Sequence, residues 1–187
     1  MKIHILGGAG SGKTFLSSKF EDKYGISPLN LDDIVFDNSD IAFKIKRPEE
    51  ERNKLLSDFI KTQNEDYIIE GVYYDWLDES FEKADYIFLF EIPLYIRVLR
   101  VIRRWYRNLF DKSVKHKIGL ISTIKLIKWM FEYYKEEFPL ILKKLEKYQD
   151  KVTMIKSKED VRKVIYIVAQ NARKNAQLSE VSWETKS

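Results

Sequence analysis

The chain has 187 residues, 44% of them hydrophobic and 14% aromatic, which is close to one domain in size and too rich in core-forming material for a disordered segment. Its 33 basic and 29 acidic residues leave a formal charge of +4, an excess that favours an anionic ligand without requiring nucleic acid. The lack of cysteine excludes a disulfide framework, a thiolate metal site and a cysteine nucleophile. No run approaches the roughly 18 apolar residues of a membrane span, so a soluble cytoplasmic protein with no membrane partner is expected.

The first element is a strand-like run, Lys2 to Leu6, without the longer apolar core of a secretory signal. It passes directly into Gly7-Gly8-Ala9-Gly10-Ser11-Gly12-Lys13-Thr14 and then a helical stretch from 13 to 24. The pattern G-x-x-x-x-G-K-[ST] would arise by chance in such a chain with a probability of roughly 1% or less at ordinary glycine and lysine frequencies, and here it has the strand-loop-helix setting its mechanism needs. Backbone N–H groups of Gly8 to Thr14 can wrap a β-phosphate, because glycine permits the turn and a helix N-terminus favours an anion. Lys13 is placed to bridge β- and γ-phosphates and the Thr14 hydroxyl to ligate Mg²⁺. The loop therefore implies a nucleoside triphosphate such as ATP.

A weaker strand, Pro28 to Leu31, is followed by Asp32 and Asp33. Ligands of doubly wound sheets gather at the carboxyl ends of strands, so either aspartate could orient an acceptor hydroxyl or a metal-bound water. Capping or turn formation explains such a pair equally well. After a helical stretch from 47 to 64 comes a nearly continuous apolar strand, Asp66 to Glu70. Glu70 stands where a second carboxylate would face Mg²⁺, or is simply a solvated strand end. Gly71 either lets a substrate approach the backbone or makes a turn.

A short helical stretch, 75 to 83, precedes the strand Asp85 to Glu91, and a helix from 93 to 107 follows it with five arginines. Arg97, Arg100, Arg104 and Arg107 share one face and Arg103 sits off it. Such a face can neutralise charge on a transferred phosphoryl group, although basic faces are commonly just solvated. From 118 onward apolar residues recur at 121, 124, 127, 131, 134, 138, 141, 145 and 148, an amphipathic stripe. Pro139 interrupts it, which predicts two helices meeting near Glu137 to Pro139. A fifth strand, Lys151 to Ile155, and a helix from 158 to 177 capped by Ser157 complete the set, and the aperiodic residues 178–187 are expected to form a flexible tail. This alternation predicts a single α/β domain over 1–177, a doubly wound five-stranded parallel sheet flanked by helices in three layers.

These residues resemble the adenylate-kinase-like family of phosphate-loop kinases, in the strand-loop-helix start, the aspartate-bearing turn after strand two, and the Ile92-Pro93 that ends strand four ahead of arginines. The resemblance implies a P-loop NTPase fold of nucleotide-kinase type. It assigns Arg100, seven residues after Pro93, to the adenine and Arg104 to the phosphates. It also implies an acceptor-side helical segment at about 33–64, with Arg47 and Arg52 gripping an anionic substrate, and a lid-like segment at about 104–117. Adenine would lie against backbone near Lys156 to Lys158. Within that family the chain is most similar to small bacterial proteins described as DNA topology modulation proteins, in its Leu31-Asp32 turn, the Arg103-Arg104 pair, the aromatic stretch Lys128 to Tyr134 and the ending Ile155 to Asp160. It departs from nucleoside monophosphate kinases in carrying Glu70-Gly71 in place of Asp-Gly. It also lacks their second arginine-aspartate lid cluster, which Lys112, Lys115 and Lys117 do not reproduce, and both departures argue against AMP as acceptor.

The expectation is an ATP- and Mg²⁺-dependent phosphotransferase acting on a nucleotide, nucleoside or other small molecule. Lys13, Asp32, Asp33, Arg100 and Arg104 are its catalytic candidates. Gly7 to Thr14 with Arg100 and Arg104 would bind ATP, Asp33, Arg47, Arg52, Glu70, Gly71 and Arg97 the acceptor, and Thr14, Asp32 and Glu70 the metal. The alternative is a nucleotide-dependent regulatory or nucleic-acid-binding protein, motivated by the arginines near Trp105 and Tyr106. A monomer or homodimer is expected, with the stretch Trp129 to Tyr134 as a dimer face or, more simply, part of the core.

Overall fold

A computed structural model describes residues 1–37, 45–63, 66–110 and 119–184, with side chains as far as residue 173. Strand β1 (Lys2–Leu6) leads through the loop into helix α1 (Lys13–Tyr24), then β2 (Pro28–Asn30) and α2 (Leu31–Val35). A two-residue hairpin, β3 (Phe36–Asp37) and β4 (Ile45–Lys46), comes before α3 (Glu49–Thr62) and β5 (Tyr67–Gly71). Then follow α4 (Asp78–Lys83), β6 (Tyr86–Phe90), α5 (Leu94–Phe110), α6 (Leu120–Glu132), α7 (Phe138–Leu145), β7 (Val152–Ile155) and α8 (Lys158–Glu184).

Five strands pair in parallel in the order β2-β5-β1-β6-β7. The central strands read as apolar runs because both their faces are covered. Alternate residues serve the two sides. Ile3, Ile5, Ile68, Phe88 and Phe90 pack beneath Leu16 and Phe20 of α1 and Val164 and Val168 of α8. Leu6, Tyr67, Ile69, Ile87 and Leu89 face the other way, against Leu31, Leu56, Phe81 and Ile141. His4 points to this second layer, fully buried with its Nδ1 2.6 Å from Ser80 Oγ, and burial lowers its pKa to about 3. The result is three layers, as the alternation predicted. From β1 the chain crosses to β2 on one side, whereas β6 lies on the other. That change of direction opens a crevice above the carboxyl end of β1, and the loop occupies it.

Several local expectations need correction. Asp32 and Asp33 are not in an open turn: they form the first turn of α2, capped by Asn30, whose side chain accepts from Asp32 N at 2.9 Å. The antiparallel β3–β4 pair was not foreseen. Two α-helices do meet at Glu137 to Pro139, but through a helical turn rather than a break. A π-helical turn, Tyr133–Glu137, joins α6 to α7, and Pro139 lies in the first turn of α7. The extra residue of that turn shifts the buried face by one position. Met130 and Tyr133 are buried, while Phe131 and Tyr134, which a continuous stripe would bury, are 56% and 43% exposed. Helix α8 runs to Glu184, past the expected end at 177. Of the lid-like segment, 104–110 belongs to α5; 111–117, with Lys112, Lys115 and Lys117, lies outside the described residues. Among the described residues no helix is long and apolar enough to cross a membrane.

Candidate functional site around the phosphate loop

The loop between β1 and α1 is shaped by the helix that packs outside it. Arg97 Nε donates to Ala9 O at 3.0 Å, and Arg100 Nη1 donates to Gly10 O at 3.0 Å and Ser11 O at 2.7 Å. These bonds hold the loop's outward carbonyls. Helix α1 begins after Gly12 with no side-chain cap, which leaves first-turn N–H groups available to an anion. The approach of α5 explains two glycines. A Cβ on Gly8 would lie 2.0 Å from Arg97 Nη2, and one on Gly10, where φ is +72°, would lie 2.8 Å from Arg97 O.

Inside the loop, Lys13 Nζ donates to Gly8 O at 3.4 Å. Burial lowers the Lys13 pKa to about 8, Arg97 and Arg104 push the same way, and Glu70 and Asp32 oppose them. Glu70 ends β5 on the face toward α1 and is almost fully buried. Its Oε1 accepts from Thr14 Oγ1 at 3.2 Å and its Oε2 from Ser17 Oγ at 2.9 Å. Glu70 is therefore not a solvated strand end. Ser17 was missed by sequence reading, although its spacing of three from Thr14 puts both hydroxyls on one face of α1. Gly71 is buried with its Cα side against Leu31, so packing, rather than a ligand, approaches it.

Across from Lys13, Asp32 accepts from Tyr73 OH at 3.0 Å. Burial and then the Asp32 carboxylate raise the Tyr73 pKa, which keeps the phenol protonated. Asp33 is exposed, and its backbone carbonyl accepts from Arg47. The two acceptor-side arginines differ. Arg47 Nη1 donates to the carbonyls of Asp33, Ile34 and Phe36 at 2.8, 2.8 and 2.7 Å, and its fork also meets Glu51 and Asp37 at 3.1 and 3.7 Å. Its guanidinium is committed to the end of α2 and not to an open crevice. Arg52 instead lies over the Trp76 ring at 5.2 Å, only 8% exposed, and its Nε has no hydrogen-bond partner among the described residues.

The structure thus brings Lys13, Thr14 and Glu70 together under the loop, with Asp32 and Arg104 near enough to act on Lys13 electrostatically. It places Arg97 and Arg100 on the loop's outer side, and leaves Arg103, Arg104 and Arg107 exposed along α5. An open cleft of about 430 Å³ is lined by residues 91–95, Tyr134 and Lys156. Residues 91–93 and Lys156 place that cleft just past the carboxyl ends of β6 and β7. No three His, Asp or Glu side chains cluster as metal ligands among the described residues. No family model matches the chain, and no curated protein matches it.

Proposed function

We propose that the chain is a phosphate-loop phosphotransferase that moves the γ-phosphate of ATP to a small acceptor. Among such enzymes we place it with the adenylate-kinase-like kinases, nearest to the small topology-modulation-related proteins. The observation that carries the reading is the meeting of Lys13, Thr14 and Glu70 at the ends of β1 and β5, beneath an uncapped helix start and a loop tied from outside by α5.

Each group has a task that its surroundings suit. The loop amides and Lys13 bind the triphosphate and offset the charge that spreads over the transferred group. Thr14 and Glu70 supply a hydroxyl and a carboxylate, hard oxygen donors that suit Mg²⁺. This ion keeps several waters and takes its other ligands from phosphate, so a dedicated cluster of carboxylates is not required. Bound there, Mg²⁺ would neutralise the β- and γ-oxygens. Asp32, steadied by Tyr73, accepts the proton of an acceptor hydroxyl, and Arg52 grips an anionic acceptor group beside Trp76.

Acceptor-dependent ADP release tests this. A panel of nucleotides, nucleosides and small hydroxy and carboxylic acids should include one that raises the rate at least tenfold over the Lys13→Ala protein. A panel that raises neither protein's rate overturns the reading. Exposed Arg103, Arg107 and Tyr106 on α5 favour a second reading, nucleotide-dependent nucleic-acid binding. It requires duplex DNA affinity that falls steeply with salt.

A further inference from the structure

Arg97 is the most deeply buried cation of α5, with 2% of its surface exposed. Nε is bonded to Ala9 O, but Nη2 has no hydrogen-bond partner among the described residues. Among the described residues, the groups that act on its charge are the phenols of Tyr133 and Tyr134 and no carboxylate. The Tyr133 ring stacks 5.8 Å from the guanidinium carbon, and its own hydroxyl is equally without a partner. A sealed guanidinium with no counter-ion among the described residues is costly. An anion brought close to it would offset that cost.

The location of Arg97 says which. Nη2 fills the space where a Gly8 side chain would stand, and Gly8 O is also where Lys13 Nζ rests. Because the Lys13 ammonium is the group that meets the β- and γ-phosphates, Gly8 and Ala9 mark the terminal-phosphate end of the loop. That end of the loop therefore holds two cations close together, half-buried Lys13 and fully buried Arg97. Arg97 indeed pushes protons off Lys13. A diphosphate brings its charge mainly to Lys13, whereas a third phosphate adds charge beside Arg97, where low polarisability lets a fixed charge act across a loop.

We propose that Arg97 is a specificity-determining residue, a fixed positive charge behind the loop tip that makes the site prefer a nucleoside triphosphate over the matching diphosphate. The preference is chemical: it reads the terminal phosphate and is indifferent to the base. It would also speed product exchange, since ADP leaves a site whose buried charge it does not compensate. The inference rests on the nucleotide-binding reading above.

The experiment compares Mg²⁺-dependent affinities for a non-hydrolysable ATP analogue and for ADP in three proteins. Arg97→Gln removes the charge and keeps a donor for Ala9 O; Arg97→Lys keeps the charge and loses the fork. The wild-type ratio should favour the analogue at least tenfold. The ratio should fall by about tenfold in Arg97→Gln, the worth of one charge-assisted contact, and by less than about threefold in Arg97→Lys, with ADP affinity nearly constant. A purely structural role predicts the reverse, parallel losses for both ligands and no advantage for lysine over glutamine. That pattern, or an unchanged ratio, overturns the proposal alone. Wild-type protein that binds neither ligand overturns the nucleotide reading as well. Should Arg97→Gln fail to fold by circular dichroism, Arg97→Met, which removes the charge and keeps an apolar stem beside Tyr133, takes its place with the same expected fall and the same overturning results.

Discussion

The two sides of the crevice use arginine in different ways. On the loop side, Arg97 and Arg100 reach from α5 to hold carbonyls of residues 9–11. On the acceptor side, Arg47 gathers three carbonyls at the end of α2 and two carboxylates, whereas Arg52 lies on an indole with a nitrogen unengaged. The lesson is that an arginine's role follows from what surrounds its fork. Arg47 and Arg100 shape backbone, and only a cation with unspent donors can grip a ligand.

The sharpest way to break this comparison is to push the two sides apart. Gly10→Ala would force a side chain into a left-handed backbone position and against the Arg97 carbonyl at 2.8 Å. Strain of this kind costs roughly 1–3 kcal/mol before the clash is counted, so nucleotide affinity should fall about 100-fold by calorimetry, with acceptor-side geometry intact. Arg47→Ala should do the opposite. It removes several charge-assisted bonds, partly exposed and therefore discounted, and should lower unfolding stability by about 2 kcal/mol in urea. Nucleotide affinity should stay within about twofold. A loss of nucleotide affinity in Arg47→Ala would erase the distinction between the two sides.

Glu70→Gln asks a narrower question. The amide keeps contact with Thr14 and Ser17 but loses the charge. The Mg²⁺ concentration needed for half-maximal nucleotide binding should rise about tenfold, the effect expected of a carboxylate that orients metal ligands. If the Mg²⁺ requirement does not move, Glu70 only fastens α1 to β5.

How much of this was legible in the sequence depends on range. The parallel sheet follows from continuous apolar runs, and the loop from a motif whose spacing is fixed by backbone geometry. Glu70 was set toward the metal with Thr14 only from its place near the end of an apolar strand, and the strand order that brings them together came from the structure. The outer clamp was half visible: the arginines were placed near the loop, but resemblance gave Arg100 to the adenine, and nothing local says that its donors go to Gly10 and Ser11. Tyr133 was hidden for another reason. A stripe at uninterrupted helical period predicts Phe131 and Tyr134 inside, and only the π-helical turn, with its one extra residue, turns Tyr133 toward Arg97 instead. Arg47 was a ligand grip by resemblance alone; most of its partners sit 10 to 14 residues upstream, in α2 and in a hairpin too short to announce itself.

The smallest expected effect is a pH dependence that runs in two directions. Lys13 in the free protein has a pKa of about 8, below its ordinary 10.5, because burial disfavours the ammonium and Arg97 repels it, while Glu70 partly restores it. The folded pKa is the lower one, so the cost of a buried ammonium is fully present below pH 8. Between pH 8 and 10.5 the unfolded chain binds more protons, and this group makes the free protein more stable as pH rises. Nucleotide binding needs the charged form. Affinity should therefore be flat below pH 8 and fall above it by at most about tenfold per pH unit, since binding must then take up a proton. Melting of the free protein and calorimetric titration across pH 7–10 should show stability gained while affinity is lost. Lys13→Arg, always charged, should bind more weakly and without this slope. A slope that persists in Lys13→Arg would mean that another group of the site sets it.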